Sequence, residues 1–317
     1  MTQSDSSQGG GFSRRDILAL GGAVATAAAL RPAAAAGPLM TRPVPRSGER
    51  LPVIGLGTAI VFDIGEDAAR RAERSRVLAA LVENGARLID TAPSYGTAES
   101  VVGDLVAALG VRERLFLATK VRVAPREAAV AEMQASLRSL RSSRIDLMQI
   151  HNLGTDPAAS ADQLALLRAW RQQGTLRYVG ATHSRESAND RLIAFMEREK
   201  PDFVQVNYSM AERSVEQRLL AVAAETGTAV LVNLPFARGK LFAAVRGKQL
   251  PGWAAEFDAA SWAQFFLKYV LAHPAVTCVI PGTDKPEYML DNLGAARGRL
   301  PDASLRRRMI EYLDSLR

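Results

Sequence analysis

Beyond residue 50, short apolar runs rich in β-branched residues alternate with longer stretches whose apolar positions recur at helical spacing. This is the pattern of βα units that build a parallel sheet. The runs fall at 53–58, 87–91, 115–121, 145–151, 178–182, 203–208, 229–234 and 277–282. Most are separated by steps of about 25 to 33 residues, which suits one crossover helix per strand. Eight such runs predict a closed (β/α)8 TIM barrel, an α/β fold in a single domain. Helix punctuation agrees with this. Residues 158–173 carry Leu164, Leu167 and Trp170 on one face, and Gly174 stands where a left-handed C-cap belongs. The step between runs seven and eight is longer and contains Arg238-Gly239-Lys240 and Leu250-Pro251-Gly252-Trp253. It is expected to form a functional loop over the barrel mouth. No Gly-x-Gly-x-x-Gly follows any strand, so a doubly wound dinucleotide domain finds no support.

Chemistry in such barrels sits at the C-terminal strand ends. Here Asp90 ends the second run and Tyr95 follows on its loop, while Lys120 and His151 end the third and fourth. A buried lysine and a buried aspartate on neighbouring strands are costly unless paired, so an Asp90–Lys120 contact is expected. A phenol has a reference pKa near 10 and becomes a responsive acid only where its phenolate is stabilised. The Lys120 ammonium can supply that stabilisation, Asp90 can hold Lys120 charged, and His151 can donate to a substrate oxygen and orient it. Taken singly, each residue has an ordinary explanation: a loop cap, a strand-end lysine in solvent, a satisfied core histidine, a packing aromatic. Their coincidence at successive strand ends favours catalysis.

The stretch Gly85-Ala86-Arg87-Leu88-Ile89-Asp90-Thr91-Ala92-Pro93-Ser94-Tyr95-Gly96, continuing to Glu99 and Gly103, resembles the signature of the aldo/keto reductases. The resemblance runs from Ile54-Gly55-Leu56-Gly57-Thr58 through Leu117-Ala118-Thr119-Lys120 and Ile145-Asp146-Leu147-Met148-Gln149-Ile150-His151 to Ile280-Pro281-Gly282-Thr283. It implies reduction of an aldehyde or ketone by NADPH, with NADH not excluded, and a catalytic tetrad of Tyr95, Lys120, Asp90 and His151. It also implies a cofactor extended across the barrel mouth against Gly57, Thr58, Asp90, Thr182, His183, Gln205, Asn233, Phe236, Gly282, Thr283, Lys285 and Asn292. Thr182, His183 and Gln205 stand where relatives hold the nicotinamide carboxamide. The sequence departs from the family twice. Asn233 takes the place of an aromatic that in many members stacks on the nicotinamide, so that either Phe236 substitutes or stacking is absent. Gly282 and Tyr288 take positions where relatives place basic residues against the 2′-phosphate, leaving Lys285 or Arg238, and the helix start near Pro286, to favour the anion.

Composition narrows the alternatives. The chain has 317 residues, 48% of them hydrophobic, enough for one large buried core. Cys278 is the only cysteine, so neither an intramolecular disulfide nor a thiolate metal cluster can form. Arg14 and Arg15 precede an apolar stretch at 17–30 and the alanines at 33–36. This layout resembles a twin-arginine export signal, with cleavage expected after Ala35 or Ala36. The expected organisation is therefore a signal peptide at 1–36 and a barrel at 37–317, the mature chain being periplasmic or extracellular, or cytoplasmic if the signal is inefficient. The twin-arginine translocase would be a partner during export. The apolar stretch is too short for a stable membrane anchor. Loss of 1–36 removes three arginines and two aspartates, lowering the net charge from +7 to +6. The arginines are scattered and lack interleaved aromatics, so no nucleic-acid partner is expected. The expected partner is a small carbonyl substrate, and the expected state is monomeric. Two other functions compete: a Schiff-base lyase built on Lys120, and a noncatalytic nicotinamide-binding sensor. Three histidines, His151, His183 and His273, are too few and too dispersed for a metal hydrolase.

Overall fold

The computed structural model describes residues 37–122 and 125–316. The expected signal at 1–36 lies outside the described residues. A short antiparallel hairpin comes first, β1 (Thr41–Pro43) paired with β2 (Arg50–Pro52). Eight parallel strands follow in sequence order: β3 (Leu56–Gly57), β4 (Leu88–Asp90), β5 (Phe116–Arg122), β6 (Ile145–His151), β7 (Leu176–His183), β8 (Phe203–Asn207), β9 (Ala229–Asn233) and β10 (Val276–Val279). Parallel bridges Ile54–Val279 and Gly57–Gly282 bring the last strand back to the first. The result is a (β/α)8 TIM barrel.

Helices α1 (Ala68–Glu83), α2 (Ala98–Leu109), α3 (Arg126–Ser139), α4 (Pro157–Gln172), α5 (Asn189–Glu199), α6 (Leu219–Glu225), α7 (Lys240–Ala244), α8 (Trp262–Leu271), α9 (Pro286–Gly294) and α10 (Ala303–Ser315) lie between and after the strands. Helix α4 matches the spacing read from sequence: Asp156 caps its start by accepting from the Ala158 and Ala159 N–H groups, and Gly174 leaves it at φ +81°.

Side chains alternate across each strand with period two, so every second residue enters the barrel. The lower interior is apolar, formed by Leu88, Phe116, Ala118, Leu147, Tyr178, Phe203, Ala229, Leu231, Cys278 and Ile280. The hairpin closes it from below with Val44 and Leu51. Two positions further along their strands, and four in the case of Thr182, the same parity brings Asp90, Lys120, Gln149, Thr182 and Gln205 inward, and all five are buried. Gly180 is the necessary exception. A Cβ there would lie 2.7 Å from the Phe203 carbonyl and 3.3 Å from Gln149 Cγ, so only glycine leaves room for the polar layer.

Two expectations change. The first barrel strand is much shorter than 53–58, only Leu56–Gly57, and the chain enters it from residues 50–52, the second strand of the hairpin. The long β9–β10 segment is mostly structure: it contains α7 and α8, and Trp253 packs on Phe257, Phe265 and Tyr312. Only its beginning, around Leu234 to Gly239, lines the mouth.

Candidate active site

At the C-terminal mouth a cavity of about 510 Å³ opens above the polar layer. Its floor is organised by Asp90. One carboxylate oxygen accepts from Lys120 Nζ at 2.6 Å, and the other accepts from the amides of Gln205 at 2.8 Å and Gln149 at 3.1 Å. Lys120 also donates to the Thr91 carbonyl at 2.8 Å. Strand β5 runs on to Arg122, so Lys120 lies two residues inside its end rather than at it. That depth is what buries it: Lys120 is 1% exposed. Burial alone drives an ammonium towards neutrality, but the Asp90 charge and the hydrogen bonds outweigh it and raise Lys120 above its ordinary value. The lysine is therefore held as a cation.

Tyr95 reaches this pair from the β4–α2 loop. Its ring centroid is 4.9 Å from Lys120 Nζ and 6.0 Å from that of His151, with the two rings nearly perpendicular at 88°. The loop is pinned from outside. Asp63 Oδ1 accepts from the N–H and the hydroxyl of Thr97, each at 2.9 Å. Gly96 has φ +59°, and a Cβ on it would come within 2.3 Å of the Asp63 carboxylate. The glycine after Tyr95 thus lets an aspartate clamp the loop that aims the phenol.

The electrostatics differ in one respect from the expectation. Burial raises the Tyr95 pKa above 10, and Lys120, through charge and a side-chain hydrogen bond, only partly counters this. The phenol is a protonated donor at neutral pH, not one poised near its midpoint. His151 is depressed to about 4, first by burial and then by the cationic charge of Lys120 and Arg122. It is a neutral imidazole and can donate one N–H.

Of the expected cofactor positions, Gly57, Thr58, Asp90, Thr182, Gln205, Asn233, Phe236 and Gly282 line the cavity. Thr58 is fixed by donating its hydroxyl to the Asp90 carbonyl at 2.9 Å. Gly57 also has a second reason to be glycine, since a Cβ there would lie 2.7 Å from the Ile280 carbonyl where the barrel closes. Four positions lie off this wall. His183 is adjacent to Thr182 and hence of opposite parity; its ring sits against the Arg185 N–H at 3.1 Å and the Arg191 guanidinium at 3.3 Å. Ser184 lines the cavity instead. Asn292 donates to Thr283 Oγ1 at 3.1 Å, both buried behind the mouth, and Lys285 Nζ lies over the Tyr288 ring. Gln149 was not singled out from the sequence, although it lies on the same inward face as Leu147 and His151.

The lining suits a nicotinamide. Thr182 Oγ1 donates to Gln205 Oε1 at 3.2 Å, which sets a hydroxyl and an amide side by side. Asn233 Oδ1 is buried with no hydrogen-bond partner, an acceptor for which the protein itself supplies no donor. A carboxamide supplies the complementary donor.

Comparison with known proteins agrees with this geometry. The sequence profile of the aldo/keto reductase family matches residues 53–309. Methylglyoxal reductase YeaE of Escherichia coli (strain K12) is 31% identical over 234 residues, covering 72% of this chain and 80% of that protein. The NADH-specific methylglyoxal reductase of the same organism is 25% identical, covering 73% of this chain and 85% of that protein. Among solved structures, an aldo-keto reductase from Klebsiella pneumoniae in complex with NADPH superposes with a TM-score of 0.71 at 26% identity, covering 88% of this chain and 95% of that one. The chain belongs to the aldo/keto reductase family.

Proposed function

We propose that Tyr95 is the general acid in the NAD(P)H-dependent carbonyl reduction that this enzyme carries out. The observation that supports it most is the convergence of Tyr95, His151 and the Asp90–Lys120 pair at one point of the cavity floor. When bound, the cofactor supplies the hydride. The protein's own residues bind the carbonyl oxygen and move one proton. Neutral His151 donates a hydrogen bond to that oxygen and fixes its direction. Tyr95 hydrogen-bonds the same oxygen and transfers its proton as negative charge develops there. Lys120 stabilises the phenolate left behind, and Asp90 keeps Lys120 charged and aimed. Thr182, Gln205 and Asn233 would hold the carboxamide, and Phe236 would flank the ring.

Schiff-base chemistry on Lys120 is disfavoured. The amine is a cation whose hydrogens go to Asp90, Thr91 and Tyr95, so it has no free lone pair with which to attack. Two relatives are named methylglyoxal reductases, which makes a small 2-oxoaldehyde the first substrate to test. The decisive variant is Tyr95→Phe. It is expected to lower kcat about a thousandfold while NADPH still quenches protein fluorescence. Retention of more than a tenth of wild-type turnover would remove Tyr95 from the role. We further propose twin-arginine export directed by residues 1–36, supported by Arg14-Arg15 ahead of the apolar stretch. Replacing both arginines by lysine should leave the protein in the cytoplasmic fraction, and unchanged export would exclude this route.

A further inference from the structure

Asn152 follows His151 directly and lines the same cavity. Its backbone has φ +55°, a left-handed conformation that asparagine tolerates better than most residues but that still carries strain. The strain is locked in by the next residue, because the Leu153 N–H donates to the Thr182 carbonyl at 3.0 Å. The turn thus keeps Asn152 on the cavity lining, next in the chain to the imidazole that orients the substrate oxygen. No hydrogen bond to the Asn152 side chain is made among the described residues, and the residue is exposed at the cavity rim. The same cavity is also lined by the apolar Ile60, Val61 and Leu234.

We propose that Asn152 is a specificity-determining residue that reads a second oxygen on the carbon next to the reacting carbonyl, selecting 2-oxo and 2-hydroxy aldehydes over simple aldehydes. The inference rests on the placement of the carbonyl oxygen at Tyr95 and His151. Neighbouring Cα atoms are only about 3.8 Å apart. A substrate oxygen held by His151 therefore puts the adjacent substituent within reach of the next residue's side chain. An aldehyde with a plain alkyl substituent would cover the amide without pairing it, and an unpaired, desolvated polar group is costly. A substrate with an oxygen there restores the hydrogen bond lost to water. The apolar lining at Ile60 and Val61 accommodates the methyl end of the same molecule.

Asn152→Gly tests this, since glycine keeps the left-handed turn and removes only the amide. Initial rates would be measured for methylglyoxal and for propanal, and NADPH affinity by fluorescence quenching. The expected result is about a tenfold loss of kcat/KM for methylglyoxal, a rise for propanal as the unpaired amide is removed, and unaltered NADPH binding. The isosteric Asn152→Asp, which retains an acceptor but loses the amide donor, should show the same selective loss. An equal fall for both aldehydes, or none for either, overturns the inference and leaves the role of Tyr95 standing. A wild-type enzyme that reduces neither aldehyde overturns both.

Discussion

At the N-terminal end of the barrel Asp146, only 1% exposed, accepts from the Leu117 N–H at 2.8 Å, from Arg177 at 2.8 Å and from Arg112 at 3.2 Å. Asp202 does the same for the Val179 N–H and Arg171, and Arg177 continues to Glu49 on the hairpin. At the C-terminal end the pattern reverses. Asn233 Oδ1 is buried and unpartnered, and Asn152 lines the cavity with no side-chain hydrogen bond among the described residues. Four of the eight described non-glycine residues with positive φ line this one cavity: Ile60, Asn152, Leu234 and Arg238. Ile60 is the sharpest case, a β-branched side chain at φ +68° and 81% exposed. Satisfied charges and strand-end caps hold one rim of the barrel together. Open valences and strained backbone at the other are tolerated because that rim has been fixed. The Asp90–Lys120 pair belongs to both patterns, being fully paired within the protein yet lining the cavity.

That contrast can be broken most severely at the pair itself. Lys120→Met leaves a buried carboxylate with only amide donors, and a loss of about 3–5 kcal/mol in unfolding free energy is expected along with the loss of turnover. Chemical denaturation beside a turnover assay checks both. If stability is unchanged, the pair does not hold the floor. Asp146→Asn acts at the other rim: it should cost about 2 kcal/mol by denaturant titration while kcat stays within twofold. A large fall in kcat at full stability would mean that the two ends are coupled.

The smallest effect expected is that of pH. His151 is favoured as the neutral ring in the fold, so its contribution to stability is complete above its unfolded value near 6.5 and is lost as pH falls towards about 4. The acid limb of kcat should lie near that lower value. Tyr95, raised by burial, should stay protonated through pH 10, so no alkaline loss of reduction is expected below it. An acid limb at 6 or higher would show that His151 is not shielded by burial and cationic neighbours.

Much of this was legible in the sequence because strands impose period two. Run 145–151 is β6 residue for residue, and Asp90, Tyr95, Lys120 and His151 do meet. The same rule, applied strictly, separates Thr182 from His183 and picks out Gln149 between Leu147 and His151. Family likeness groups Thr182 with His183, but neighbouring residues on a strand cannot both point inward. The hairpin was less visible, since Pro43 and Pro52 weaken any strand reading of short segments. The clamp beside Gly96 could not be seen at all: it joins residues 34 apart, Asp63 and Thr97, by hydrogen bonds, and only coordinates reveal that a side chain at Gly96 would collide with the same carboxylate.

Cys278 lies sealed in the apolar lower interior, 0% exposed, with its thiol pushed far above its usual range by burial and then by the Asp90 charge. No alkylating reagent can meet it while the strands remain closed around it, and it is the only sulfhydryl in the chain. The barrel therefore carries its own gauge of integrity: the rate at which a thiol dye reacts reports how often the whole cylinder comes apart.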